Sequence, residues 1–251
     1  MLMKPKIGAV IQARIGSTRL RGKVLLPLPY GSGISVIENI ISRIKRSRRL
    51  DEIIIATTTN KADDSIAALA KKLKVKCFRG SADDVLSRFY GAALKYHLNV
   101  IVRLTADNPC VDYQLIDATV KGLLSGKYDY FATSNFPLGL NVEAFSFVAL
   151  ERAQKNASKD FEREHVTPYI YHSDRSHYKI GHLKAPYSLA RPDIRATLDT
   201  EEDYAFMCAV FDHLYPKNRT FSTKEIVRLC SEKPWLTLIN RKIVQNKFKG
   251  D

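Results

Sequence analysis

Ile7-Gly8-Ala9-Val10-Ile11-Gln12-Ala13 runs directly into Arg14-Ile15-Gly16-Ser17-Thr18-Arg19-Leu20-Arg21-Gly22-Lys23. The first part is an apolar run of strand length, the pattern of a strand buried on both faces. The second part packs two glycines, two hydroxyls and four cations into ten residues. Glycines let backbone N–H groups turn inward around an anion, and arginine offers planar forks to phosphate. Four like charges this close repel one another unless an anion sits among them. The loop therefore reads as a cradle for a triphosphate held by Arg14, Arg19 and Lys23; a basic surface turn is the competing reading. It is not a Walker A loop, because five residues separate Gly16 from Gly22 and Val24 stands where the magnesium-binding hydroxyl belongs. No GxGxxG follows a strand either, which argues against a dinucleotide enzyme.

Outward from this loop, strand and helix patterns alternate. Ile34, Ile37, Ile40, Ile41 and Ile44 fall at helical spacing, and residues 52–57 (EIIIAT) form a second strand. Asp63 and Asp64 are expected to cap a helix through Leu73, residues 75–78 form a short strand, and Ser81 caps a helix with Asp83 and Asp84 in its first turn. Residues 99–105 (NVIVRLT) are a strand, 112–124 a helix and 128–132 a strand. Such alternation implies an α/β fold, a Rossmann-like doubly wound and mostly parallel sheet, with right-handed crossovers placing helices on both faces. Ligands then bind beyond the carboxyl ends of the strands. In the second half, residues 139–147 read as an excursion strand and 148–156 and 162–171 as helices. Residues 178–182 and 195–198 read as strands, and 200–214 as a helix. Ser222 and Glu225 form a capping box. One domain over residues 1–251, with a small arm within 135–190, is expected.

Two aspartates stand where strands end. Asp107 follows the 99–105 strand in Thr105-Ala106-Asp107-Asn108-Pro109, and Asp199 follows Arg195-Ala196-Thr197-Leu198. Magnesium favours one or two carboxylates together with phosphate oxygens and water, so this pair is the candidate Mg2+ site. Each has a plainer alternative: Asp199 as the cap of the following helix, Asp107 as a turn former before Asn-Pro.

The bulk properties narrow the classes. The 251 residues suffice for one large α/β core, and no apolar run approaches the ~20 residues of a spanning helix. The amino-terminal apolar stretch is too short for a signal peptide, so a cytoplasmic protein without membrane insertion is expected. Cys77, Cys110, Cys208 and Cys230 show no CxxC spacing and read as reduced thiols. The six histidines show no metal-ligand spacing. The net charge of +14 suits a polyanionic partner. Arg43, Lys45, Arg46, Arg48 and Arg49 read as a solvated face, and Arg241, Lys242, Lys247 and Lys249 as a basic tail. Trp235 is expected to anchor the C-terminal segment.

These residues resemble the cytidylyltransferase family of CMP-sugar synthetases, nearest its spore coat polysaccharide biosynthesis type and related to the CMP-Kdo and CMP-acylneuraminate synthetases. The resemblance runs through residues 11–25, Arg79-Gly80-Ser81-Ala82-Asp83-Asp84-Val85-Leu86, residues 103–109, Arg163-Glu164-His165-Val166-Thr167-Pro168-Tyr169 and Leu198-Asp199-Thr200-Glu201-Glu202-Asp203. It implies nucleotide contacts from Gln12, Ala13, Arg14, Gly16, Ser17, Arg19, Lys23, Arg79, Ser87 and Thr105, with residues 79–87 lining the cytosine pocket. It implies catalytic roles for Arg14, Lys23 and Asp107, and Mg2+ on Asp107 and Asp199. Asn135, Asn141, Glu143, Glu164 and His165 would lie near the sugar or a dimer contact, in a homodimer whose arm crosses to the partner. The family usually has Pro where Arg21 stands, so Arg21 adds a possible fourth phosphate contact. It also usually reads Gly-Asp-Cys-Pro where Ala106-Asp107-Asn108-Pro109 stands, which puts a Cβ toward the ribose.

The expected reaction moves CMP from CTP to an acidic sugar of the 3-deoxy-2-keto type, with release of pyrophosphate, for surface polysaccharide synthesis. A glycosyltransferase using a ready-made nucleotide sugar is the nearest rival, but Asp107-Asn108-Pro109 lacks the second aspartate of an Asp-x-Asp motif. A non-enzymatic nucleic-acid binder needs base-stacking aromatics interleaved with cations. The aromatics here sit in apolar patterns, so no nucleic-acid partner is expected.

Overall fold

Strand β1 (Ile7–Gln12) puts Ala9 and Ile11 on one side of a sheet and Val10 on the other, and all three are fully buried. That two-sided burial is why the run is continuously apolar. The chain then alternates α1 (Val36–Ile44), β2 (Glu52–Thr58), α2 (Asp64–Lys72), β3 (Lys76–Gly80), α3 (Val85–Lys95), β4 (Val100–Thr105), α4 (Tyr113–Gly126) and β5 (Tyr130–Ser134). Next come β6 (Glu143–Ser146), α5 (Phe147–Asn156), α6 (Asp160–His165), β7 (Ile180–Lys184), α7 (Glu201–Leu214) and α8 (Thr223–Glu232). This computed structural model describes residues 4–17 and 19–245; Thr18 of the basic loop and Lys247 and Lys249 of the basic tail lie outside them.

The seven strands form one sheet in the order β3-β2-β1-β4-β6-β5-β7. Only β6 runs antiparallel to its neighbours, β4 and β5. It fills the sheet's middle, so residues 143–146 are not an excursion. Packing from α1, α2, α4, α7 and α8 covers one face, and α3 and α5 cover the other. The parallel strands β1, β2, β3 and β4 end along one edge, with Gln12 paired to Thr105 at the last rung.

Several local expectations change. Asp63 makes no side-chain cap; it is buried and accepts from Ile15 N (2.7 Å) and the backbone and hydroxyl of Thr58. Asp84, not Ser81, caps α3, accepting from Ser87 N at 2.9 Å. The helix expected over 162–171 breaks at Val166 (φ 73°) and resumes as a π-helical turn, Tyr169–Ser173. Residues 195–198 are not a strand; a single bridge joins Arg195 to Leu138. Arg43 is 1% exposed rather than solvated, because its guanidinium donates to the carbonyls of Cys110, Val111 and Phe221. Trp235 is 50% exposed, and the neighbouring Leu236 is the buried anchor. The four cysteines are free, Cys110 and Cys230 buried. Among the described residues no helix is long and apolar enough to cross a membrane.

Candidate active site

The basic loop leaves β1 at Ala13, whose N–H still donates to Ala56 O at 3.1 Å, and is closed on itself by Gly22 N to Ile15 O at 3.2 Å. Gly22 supplies the left-handed turn (φ 68°) that carries the chain into the 3₁₀ turn Lys23–Leu25. Gly16 has ordinary φ, and a Cβ there meets nothing, so its conformation does not demand glycine. The turn drives Lys23 inward, into a cavity of about 390 Å³ beyond the strand ends.

Asp107 reaches this cavity from the turn after β4, where Asn108 N bonds Thr105 O at 3.2 Å. Being a turn residue and facing the cavity are thus compatible. Thr105 Oγ1 donates to Asp107 Oδ1 and itself accepts from Asn108 Nδ2 at 2.9 Å. Asp199 arrives on a buried segment laid beside that turn by Leu198 N to Asp107 O, 2.8 Å. The same segment bonds through Ala196 N to Leu138 O at 2.7 Å. This approach requires Gly139: at φ 88° a Cβ would meet Ala196 O at 2.2 Å. Asp199 does not cap α7; Thr200 does, in a capping box with Asp203.

One ammonium joins the two aspartates. Lys23 Nζ lies 3.1 Å from Asp107 Oδ2 and 2.9 Å from Asp199 Oδ1. Asp199 Oδ2 in turn faces Arg19 at 3.2 Å and Arg195 at 2.9 Å. Burial alone raises the Asp199 pKa, but the Lys23 hydrogen bond and the charges of Lys23, Arg19 and Arg195 outweigh it, so the carboxyl titrates below its ordinary value. Arg14 is exposed at the rim and makes no ion pair or hydrogen bond with another described residue.

Arg103, Glu164 and His165 also line the cavity. The β4–β6 register sets Arg103 opposite Glu143, giving an ion pair of 2.9 Å. Glu143 also accepts from Tyr130 (3.1 Å) and Thr167 (2.7 Å). Burial, with Glu143 adding to it, pushes the Tyr130 hydroxyl well up, so it stays a donor. Burial pulls His165 below 6.5, against the charge of Glu164. Arg103 Nε is buried with no hydrogen-bond partner among the described residues.

Of the residues expected from the sequence, Gln12, Ala13, Arg14, Ser17, Arg19, Lys23, Thr105, Asp107, Glu164, His165 and Asp199 line the cavity. Gly16, Arg79, Ser87, Asn135, Asn141 and Glu143 do not. Arg79 donates to the carbonyls of Thr58 and Asn60 and pairs with Asp64. Ser87 turns its hydroxyl back to Asp84 O. Asn141 ties the β5–β6 connection through Pro137 O, and Asn135 sits in that connection at φ 63°. Arg88, Arg103, Leu138, Gly139, Thr197 and Gln245 also line the cavity, unforeseen from the sequence. The place of Arg103 two residues before Thr105, on the same strand face, was the available signal.

A sheet of this order, with a basic loop after β1 and carboxylates beside it, is the nucleotide-diphospho-sugar transferase fold of a nucleotidyltransferase. A solved cytidylyltransferase from Leptospira borgpetersenii matches it with a TM-score of 0.85 at 29% identity, over 97% of this chain and 100% of that one. The family profile described as Cytidylyltransferase matches residues 9–242, and the chain belongs to that family. It is 42% identical to an uncharacterized protein of Methanocaldococcus jannaschii over 97% of this chain and 98% of that one. It is 36% identical to the spore coat polysaccharide biosynthesis protein SpsF of Bacillus subtilis, over 90% and 94% respectively. Its activity is CTP-dependent nucleotidyl transfer.

Proposed function

We propose that the enzyme transfers CMP from CTP to a hydroxyl of an acidic sugar, a step in polysaccharide synthesis. The oxygen–α-phosphorus bond forms, the bond to the bridging oxygen of pyrophosphate breaks, and the hydroxyl gives up its proton. The observation that carries this reading is the single Lys23 ammonium held by both Asp107 and Asp199, in the cavity that Arg14 and Arg19 also enter. Two hard carboxylates within reach of one cationic nitrogen fit a divalent ion completed by phosphate oxygens and water. No group of three His, Cys, Asp or Glu among the described residues is placed to hold a metal ion, so in this reading phosphate oxygens and water supply the remaining ligands. When bound, the ion neutralises charge on the α-phosphate and the departing pyrophosphate.

In this scheme Lys23, Arg19 and Arg14 bind the triphosphate and hold it in line, and catalysis rests on positioning and fixed charge. The cationic side chain of Arg103, which lines the same cavity as His165, supports an anionic acceptor. The similarity to a spore coat polysaccharide protein supports the sugar. A cytoplasmic homodimer, with residues 135–190 reaching the partner, completes the proposal on the family resemblance.

Pyrophosphate release, measured with each of the four nucleoside triphosphates, Mg2+ and a panel of neutral sugars and keto-sugar acids, tests it. CTP with a keto-sugar acid is the expected productive pair. Equal release with neutral sugars rejects the acceptor class, and no release from CTP with any acceptor rejects the reaction.

A further inference from the structure

Asp203 is 0% exposed and lies off the cavity wall, yet it organises Asp199. It accepts from Arg195 Nε at 2.9 Å and Nη2 at 3.1 Å, and from Asn240 Nδ2 at 2.9 Å. It also accepts from the backbone N–H of Asp199 at 3.0 Å and of Thr200 at 3.2 Å. Five donors on one buried carboxylate leave it a single position. Arg195 is fixed with it: Nη2 also donates to Asp199 Oδ2 at 2.9 Å, and Nη1 to Gln245 Oε1 at 2.6 Å. Its backbone oxygen accepts from Asn240 Nδ2 at 3.0 Å.

We infer that Asp203, acting through Arg195, is a positioning residue that orients and charges Asp199 for a divalent cation, and that the C-terminal segment carrying Asn240 and Gln245 completes this clamp. The inference rests on the reading of Asp199 as a metal ligand. Its logic is electrostatic. A guanidinium placed against Asp199 alone would cancel the charge that Asp199 offers the cation. Shared with Asp203, the guanidinium is neutralised from behind, so it fixes Oδ2 by hydrogen bonding while Oδ1, among the described residues, meets only the Lys23 ammonium, a cavity-lining group. The backbone bond from Asp199 N to Asp203 fixes the main chain at the same point. Groups in this outer position typically change metal affinity by ~10–100-fold when altered. Gln245 lines the cavity as well as holding Arg195, so the segment near the C-terminus is tied to the metal carboxylate through Arg195.

The test is Mn2+ binding to the full-length protein in the presence of CTP, read from the loss of the free-ion electron paramagnetic resonance signal. Asp203→Asn keeps the shape and removes the charge. The expected result is Mn2+ affinity weaker by about tenfold, with CTP affinity in EDTA unchanged. Unaltered Mn2+ affinity in Asp203→Asn, with only a lower Tm, overturns the inference. Should Asp203→Asn not fold, the surface variant Gln245→Ala decides: about tenfold weaker Mn2+ binding with CTP affinity in EDTA unchanged supports the clamp, and unaltered Mn2+ binding overturns it. Absence of CTP-dependent Mn2+ binding by the unaltered protein contradicts the metal reading itself, and with it the clamp, which distinguishes that failure from the first.

Discussion

The two walls of the cavity are built on opposite principles. The cationic wall, within residues 13–23, is held to the body through backbone N–H groups, Ala13 N on Ala56 O and Ile15 N on Asp63, and is closed on itself by Gly22 N on Ile15 O. Arg14, Arg19 and Arg21 are exposed. The anionic wall, residues 194–199, is buried at every position, and both oxygens of Asp199 already have partners. The first wall offers surplus charge that an anion can gather; the second offers a carboxylate whose direction is settled before any ligand arrives. Binding strength should therefore depend on the first wall and turnover on the point where the walls meet, at Lys23.

The largest effect expected is at that meeting point. Lys23→Ala or Asp107→Ala should lower the rate of pyrophosphate release by about 100-fold or more, the usual loss on removing one preorganised charge contact. A wild-type rate in either variant would show that the walls do not cooperate. Next comes Arg14→Ala, on the exposed wall alone. It should raise the KM for CTP about tenfold, as for one charge-assisted bond, and lower kcat far less than Lys23→Ala does. A fall confined to kcat would erase the distinction between the walls.

Smaller still is the effect of loosening the cationic wall from behind. Asp63→Ala removes the acceptor for Ile15 N and Thr58 and should cost about 1–3 kcal/mol in urea unfolding, together with a higher KM for CTP. The smallest concerns His165. Its folded pKa lies below 6.5 because burial opposes its charge. The unfolded chain therefore takes up the proton first on acidification, and stability should fall as pH drops from 6.5 through the folded value, with no contribution well above 6.5. Comparing urea midpoints at about pH 7.5 and 5.5 for the parent and His165→Gln isolates that slope, which the variant should lack.

Much of the first half could be read in advance because a strand buried on both faces must be apolar throughout, as in Ile53-Ile54-Ile55 and Val100-Ile101-Val102. The place of Asp107 was legible for a related reason: charge directly after such a run sits at the ligand edge; Lys23 drew notice from the cation-rich loop after β1, and Asp199 from an expected strand that the structure does not contain. The segment 195–198 misled because buried extended chain and strand look alike; its backbone bonds go to Leu138 and Asp107, residues distant in the chain. Arg43 misled because an arginine's burial is decided by distant acceptors, here the carbonyls of Cys110, Val111 and Phe221. Asp63 resembled a helix cap because its true partner, Ile15 N, comes from another loop. Pro168, inside the stretch expected as one helix, is the local sign of a break; the chain turns just before it, at Val166, where a β-branched residue adopts φ 73°.

Calorimetric binding of CTP, with and without Mg2+, to the parent protein and to Asp107→Asn/Asp199→Asn bears most directly on the convergence of the two walls. Mg2+ should tighten CTP binding at least about tenfold (~1.4 kcal/mol) in the parent and leave it unchanged in the double variant. An equal response to Mg2+ in both proteins, or none in the parent, would contradict it.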